Sequence, residues 1–127
     1  MARPRTYRTD GIVLRQLPLR EADRLLTLYT PGRGKLRVVA RGVRRTKSKL
    51  AGHTEQLTHV RLSAAVGKSL DVVSEAETVR SFRGVREHLG RLSQGLYMAE
   101  LVDGFGAESS ANPQLYDLLV DTLRAID

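Results

Sequence analysis

The 127-residue sequence contains no cysteine and no tryptophan, only two phenylalanines and four tyrosines, and just four prolines. Without cysteine the chain can build neither a disulfide framework nor a thiolate metal site, and a reducing compartment is the expected setting. No apolar run approaches the ~18 residues that mark a membrane-spanning helix. The opening MARPRTYRTDG is basic but is not followed by the apolar core of a signal peptide. A cytosolic protein with no membrane partner is therefore expected. Acidic residues are also scarce. Net charge is +7 with a pI near 10.4, a balance that points to a polyanionic partner. The excess is uneven: residues 1–80 hold 17 Lys/Arg against 7 Asp/Glu, and residues 81–127 hold 4 against 7. A basic part and a mildly acidic part of one chain usually face different partners.

Catalytic chemistry is equally scarce. His53 and His59 have no cysteine or neighbouring carboxylate to complete a tetrahedral metal set, so no metal and no cofactor is expected. Glu21 and Asp23 neighbour Arg20 and Arg24 and read as local ion pairs. Glu75 and Glu77 share a strand face, but paired carboxylates also need a pocket and a shifted pKa. Neither Gly32-Arg33-Gly34-Lys35 nor Gly104-Phe105-Gly106 fits a phosphate-loop or dinucleotide pattern. The expectation is a protein that is not an enzyme.

What is present is a run of short strand patterns. Tyr7–Leu17 holds GIVLRQL, with Pro18 as its expected end. Asp23–Thr30 follows, and Thr30-Pro31-Gly32-Arg33 suits a type II turn with Gly32 at the left-handed position. In Gly34–Val43, Leu36, Val38 and Ala40 share one face, and Lys35, Arg37, Val39 and Arg41 share the other. A basic loop runs to about Gly52. Val60, Leu62, Ala64 and Val66 alternate with polar or small residues, and a fifth strand covers about Leu70–Val79. Five short strands with one long connection between the third and fourth suit a small closed barrel, which also removes exposed sheet edges. The oligonucleotide-binding (OB) barrel has this count and this connection; an SH3-like barrel is the rival.

After Phe82 the period changes. Val85, Leu89, Leu92, Leu96, Ala99 and Val102 form a helical stripe. Asn112-Pro113 opens a second helix, with Asn as cap and Pro at the first position. Leu115, Leu118, Leu119, Leu123 and Ile126 line one of its sides, and that stripe is still running at Asp127. The expected class is thus α+β: a barrel domain over 1–82, then a helical region over 83–127 that reads as the start of a longer helical part, with the boundary near Ser81–Gly84.

The strongest local signal is charge. Eight Lys/Arg and no Asp or Glu lie between Arg33 and Lys49. On a strand, Lys35, Arg37 and Arg41 lie on one side about 7 to 14 Å apart, close to the spacing of phosphates along one nucleic-acid strand. Arg44, Arg45, Lys47 and Lys49 continue them through the loop, and Arg33 sits at the turn. A stripe suits a sugar-phosphate chain better than a small anion. Tyr29 is the candidate ring for base stacking, with barrel packing the alternative for it and for Tyr7. With so few rings, binding should rest on phosphate neutralisation, with little sequence preference and steep salt dependence. RNA remains open as a target of the same surface.

The order GIVLRQLPLREADRLLTLYTPGRGKLRVVARGVRRTKSKLAG over residues 11–52 resembles the N-terminal region of the RecO family of bacterial DNA repair proteins. LDVVSEAETVRSF, RLSQGLYMAELVDGF and NPQLYDLLVDTLRAI are similar to that family's last barrel strand and first two helices. The resemblance implies an OB barrel with a helical domain. It also implies a recombination mediator in the bacterial cytoplasm, associated with the nucleoid, that binds single- and double-stranded DNA, anneals complementary strands and works with RecR. Such a mediator helps RecA displace single-strand-binding protein. Carried onto this sequence, the family's basic surface falls on Arg33, Lys35, Arg37, Arg41, Arg44, Arg45, Lys47 and Lys49. The four-cysteine zinc module of many members has no counterpart here, and most of the helical domain that meets single-strand-binding protein is missing. An alternative is a scaffold that docks RecR or another copy of itself, with little DNA binding.

Overall fold

The computed structural model describes residues 5–44 and 48–127. Five strands, β1 (Thr6–Leu19), β2 (Asp23–Thr30), β3 (Gly34–Ala40), β4 (His59–Ala65) and β5 (Asp71–Arg80), close in the order β1-β2-β3-β5-β4. That closure, with β3 and β5 parallel and every other neighbour antiparallel, is the OB arrangement. β1 serves two partners. Its first half pairs with β4 and its second half with β2, and a bulge between Val13 and Arg15 lets one strand turn this corner. The backbone at the bulge is held by the segment before β4: Val13 N–H donates to Thr58 O at 3.0 Å, and Gln56 Nε2 donates to Leu14 O at 2.8 Å.

Alternation along the strands splits the apolar residues between two cores. Val13, Leu26, Leu28, Val38, Ala40, Val60, Leu62, Ala64 and Val73 fill the barrel. Ile12, Leu14 and Tyr29 point the other way, into a second core against the helices α1 (Arg83–Arg86), α2 (Leu89–Phe105) and α3 (Pro113–Ile126). Ile12, Val13 and Leu14 are consecutive and all buried for this reason, since both faces of β1 are covered there. Each such side chain contributes about 1.5–3 kcal/mol by leaving water. α3 begins as expected: Asn112 Oδ1 accepts from Leu115 N–H at 3.1 Å, and Pro113 takes the first helical position. The stripes hold less uniformly, because Leu89 on α2 and Leu118 on α3 are exposed.

Three local expectations are corrected. Pro18 does not end β1. It sits opposite Arg24 near the hairpin end, and the strand runs to Leu19. β3 ends at Ala40 rather than Val43, because Gly42 takes φ +69 and gives its N–H to Asp23 Oδ1 at 2.8 Å. The left-handed residue of the β2–β3 turn is Gly34 (φ +64), not Gly32, so the type II turn does not form. Thr30 Oγ1 holds that turn instead, accepting from Arg33 N–H at 3.0 Å and donating to Gly34 O at 2.9 Å.

Candidate nucleic-acid interface

The outer face of the β1-β2-β3 sheet is read most easily in rows. Strand pairing sets Tyr29 beside Lys35, then Arg15, Thr27 and Arg37 in line, then Leu17, Leu25 and Val39. Beyond the last row lie Arg41 and Arg44, in the turn that follows β3. This register puts Lys35 and Arg37 on one face, and Arg15 joins them from the neighbouring strand; Arg41, expected on the same strand face, lies instead in the turn beyond the end of β3.

The first row is closed by the helices. Tyr29 is fully buried against them, and Gly106 lies so close that a Cβ there would come within 2.6 Å of the ring. Tyr29 is therefore not a stacking platform: its parity puts it outside the barrel, but the helices cover that part of the outside. Lys35 is likewise withdrawn. Its Nζ meets Asp103 Oδ1 at 2.9 Å and the Asp103 carbonyl at 2.6 Å, and the carboxylate's other oxygen takes Arg15 Nε at 3.1 Å. Asp103, near the end of α2, thus neutralises two strand cations and ties the helix to the sheet. Arg37 faces Glu108 at 3.5 Å, with both side chains about half exposed; such a pair is worth only about 0–1 kcal/mol and opens readily.

Arg41, Arg44 and Lys49 are exposed, and none lies within ion-pairing distance of a carboxylate among the described residues. Arg44 NH1 donates to the Arg20 carbonyl at 3.3 Å, which brings Arg20 into the same patch. Arg33 is exposed at the hairpin tip, its guanidinium over the Tyr7 ring. Arg45 and Lys47 lie outside the described residues. Arg15 and Arg20 are the cations that the charge run did not contain; the register of the β1–β2 hairpin is the signal that finds them. Pairing by Asp103 and Glu108 has no local signal.

The buried Tyr29 hydroxyl has no hydrogen-bond partner among the described residues, and an orphaned buried hydroxyl costs roughly 1–3 kcal/mol. Tyr29→Phe is accordingly expected to leave DNA affinity unchanged. It should match or exceed wild-type stability by up to about 1 kcal/mol, read from urea unfolding and anisotropy titration on one preparation. A clear loss of DNA affinity in a folded Tyr29→Phe protein would return the ring to the interface.

Near the β2–β3 hairpin tip, β4 and α3 meet through polar contacts. Arg61 grips Asp10 through two hydrogen bonds (2.7 and 3.2 Å), and half-buried His59 sits 3.5 Å from Asp10 and 3.1 Å from the Tyr116 hydroxyl. Burial pushes the His59 imidazole below its usual range, outweighing the Asp10 carboxylate, which pulls the other way. Burial alone would raise Asp10, but the Arg61 hydrogen bonds and charge hold it below the ordinary carboxylate range. The sign for His59 is clear. Unfolded His59 titrates near 6.5, so on acidification the unfolded chain takes its proton first. The stability from the neutral ring is complete above about pH 6.5 and is lost as pH falls through the lower folded value. Urea midpoints are expected to fall between about pH 7 and 5, with a flatter step in His59→Gln; equal steps in both proteins would assign the loss elsewhere.

Comparison with known proteins agrees with this architecture. The family model described as "Recombination protein O N terminal" matches residues 1–82, and "Recombination protein O C terminal" matches residues 86–127. Among curated relatives, the DNA repair protein RecO of Dehalococcoides mccartyi is 39% identical over all of this chain and half of its own length. That of Roseiflexus sp. is 42% identical over 98% of this chain and 44% of its own. That of Synechococcus elongatus is 44% identical over 97% and 46%. The chain spans about half the length of the curated relatives it matches. With a closed barrel, helices after it, and both family models matched in order along the chain, the protein belongs to the RecO family of DNA repair proteins.

Proposed function

We propose that this chain is a non-catalytic nucleic-acid-binding module that holds single- and double-stranded DNA by the sugar-phosphate backbone and promotes annealing of complementary strands. The observation that carries the reading is the trio Arg41, Arg44 and Lys49, exposed and without a carboxylate partner among the described residues, next to half-exposed Arg37. We assign Arg33, at the hairpin tip, to the same function, together with Arg45 and Lys47, which lie outside the described residues. Phosphate contacts of this kind position a strand without reading its bases, and pairing supplies the sequence specificity. Annealing is opposed by the mutual repulsion of two backbones, and a basic surface that screens it loosely leaves the strands free to search.

On family grounds we assign the protein a role in recombination, loading RecA with RecR in place of single-strand-binding protein, in the bacterial cytoplasm at the nucleoid. A salt-titrated annealing assay tests the core of this reading. The chain should accelerate annealing at low salt, with single-strand affinity falling at a log–log slope of roughly −3.5 for about five contacts. Matched RNA strands serve as competitor. No acceleration at any salt concentration would sink the proposal.

A second reading, a scaffold for RecR or another copy, is favoured by the large apolar side chains left exposed on the helices: Leu89, Tyr97, Phe105 and Leu118. It expects a stable complex with RecR by light scattering; a monomer that leaves RecR unbound counts against it.

A further inference from the structure

We propose that Arg33, seated on Tyr7, is a base-stacking platform at the mouth of a groove that takes one nucleotide unit of a single strand. This rests on the nucleic-acid reading above and deepens it. Arg33 Cζ lies over the Tyr7 ring, 3.8 Å from its centroid. The ring is itself anchored, because the Tyr7 hydroxyl donates to Asp71 Oδ2 at 2.6 Å. A chain of contacts therefore runs from β5 through β1 to the β2–β3 turn and holds the guanidinium in place before any ligand arrives. A guanidinium is planar and weakly hydrated and stacks on π-systems from either side. Tyr7 lies against the guanidinium, and Arg33 is exposed with no carboxylate paired to it among the described residues. Ordering the side chain in advance lowers the entropy lost on binding.

The groove beside it has a volume of about 670 Å³ and is lined by Arg8, Thr9, Asp10, Arg61 and Tyr116 as well as the hairpin tip. That lies within the ~300–1,000 Å³ typical of small-ligand sites. Its acid is already neutralised, since Asp10 is gripped by Arg61. Arg8 is bonded to Glu77 at 2.9 Å through one nitrogen. Each guanidinium carries five N–H donors, so both arginines keep donors for a phosphate. Arg33 immediately precedes β3 and lines this groove from the hairpin tip.

The test compares Arg33→Lys with wild type on two probes: an oligo-dT strand and an abasic strand of equal length. Lysine keeps the charge and loses the planar stack. Oligo-dT affinity is expected to fall roughly 5- to 30-fold, with abasic affinity within about twofold of wild type and an unchanged salt slope. Equal loss on both strands would make Arg33 a phosphate or structural contact, and no loss on either would leave it idle; both outcomes overturn the platform and leave the basic surface standing. A wild-type chain that binds neither strand overturns the platform together with the reading beneath it.

Discussion

Replacing Arg37, Arg41 and Arg44 with alanine together is expected to weaken single-strand DNA binding about 100-fold at 0.1 M salt. On a single strand each phosphate contact adds about −0.7 to the slope of log affinity against log salt. Three lost contacts make the slope shallower by about 2, so the deficit at 0.1 M relative to 1 M is about two decades. The fold should survive. Arg37 and Arg44 are exposed and hold only a half-exposed ion pair and one hydrogen bond to a carbonyl, and Arg41 is exposed beyond the end of β3. The control removes the same charge elsewhere: Arg83, Arg91 and Arg124 are exposed in the helical part, and their alanine variant should keep the wild-type slope. Anisotropy titrations over a range of salt concentrations read both quantities. A triple variant with wild-type slope and affinity would place the DNA track somewhere other than the β3 face.

The barrel was legible because its signals are local. Leu36, Val38 and Ala40 alternate with charge, and that period alone assigns one face of β3 to the interior, where these side chains are found. Asn112-Pro113 announced α3 for the same reason, since a cap acts within one turn. Strand ends were less legible, because tertiary partners set them. Gly42 ends β3 with the help of Asp23 on the neighbouring strand, and Gly34 takes the left-handed position because Thr30 and the segment 107–110 hold it there. The uneven stripe of α2 has a physical cause too: the helix is apolar on more than one side, so its period names no single buried face.

For the site, the charge run was legible and its electrostatic fate was not. Lys35 meets Asp103 across 68 positions of chain, and Glu108 lies farther still from Arg37. A window on the sequence sees an acid-free stretch; the fold supplies the acids from the end of α2 and the loop after it. Tyr29 illustrates the same limit. The sequence leaves stacking and packing both open for it; the strand register sets its ring outside the barrel, and the docking of α2 makes that outside a second core. Among the described residues, what survives of the run as a candidate surface is Arg33, Arg37, Arg41, Arg44 and Lys49, all exposed.

Gly34→Ala is expected to destabilise the protein by about 2–5 kcal/mol, the sum of a left-handed backbone cost of about 1–2 and an overpacking cost of about 1–3. Two independent demands meet at this residue. Its φ of +64 disfavours any side chain, and a Cβ would stand 2.2 Å from Ser110 O and 2.7 Å from Ala107 O. Both neighbours are backbone atoms of the segment joining α2 to α3, so they cannot yield by a change of rotamer. Lys35 N–H donates to Ala107 O at 3.1 Å and Ser109 N–H to Lys35 O at 3.3 Å, so pushing the segment away also strips hydrogen bonds from the start of β3. The strain should loosen the Asp103 clamp on Lys35 as well, because that clamp is carried by the adjoining end of α2. Gly32→Ala, two residues earlier, meets nothing within 4 Å and has no positive φ, so it should stay within about 0.5 kcal/mol of wild type. Thermal unfolding separates the two, with Gly34→Ala melting roughly 8–20 °C lower and Gly32→Ala nearly unmoved. Equal melting of the two variants would mean that the 107–110 segment does not rest on β3.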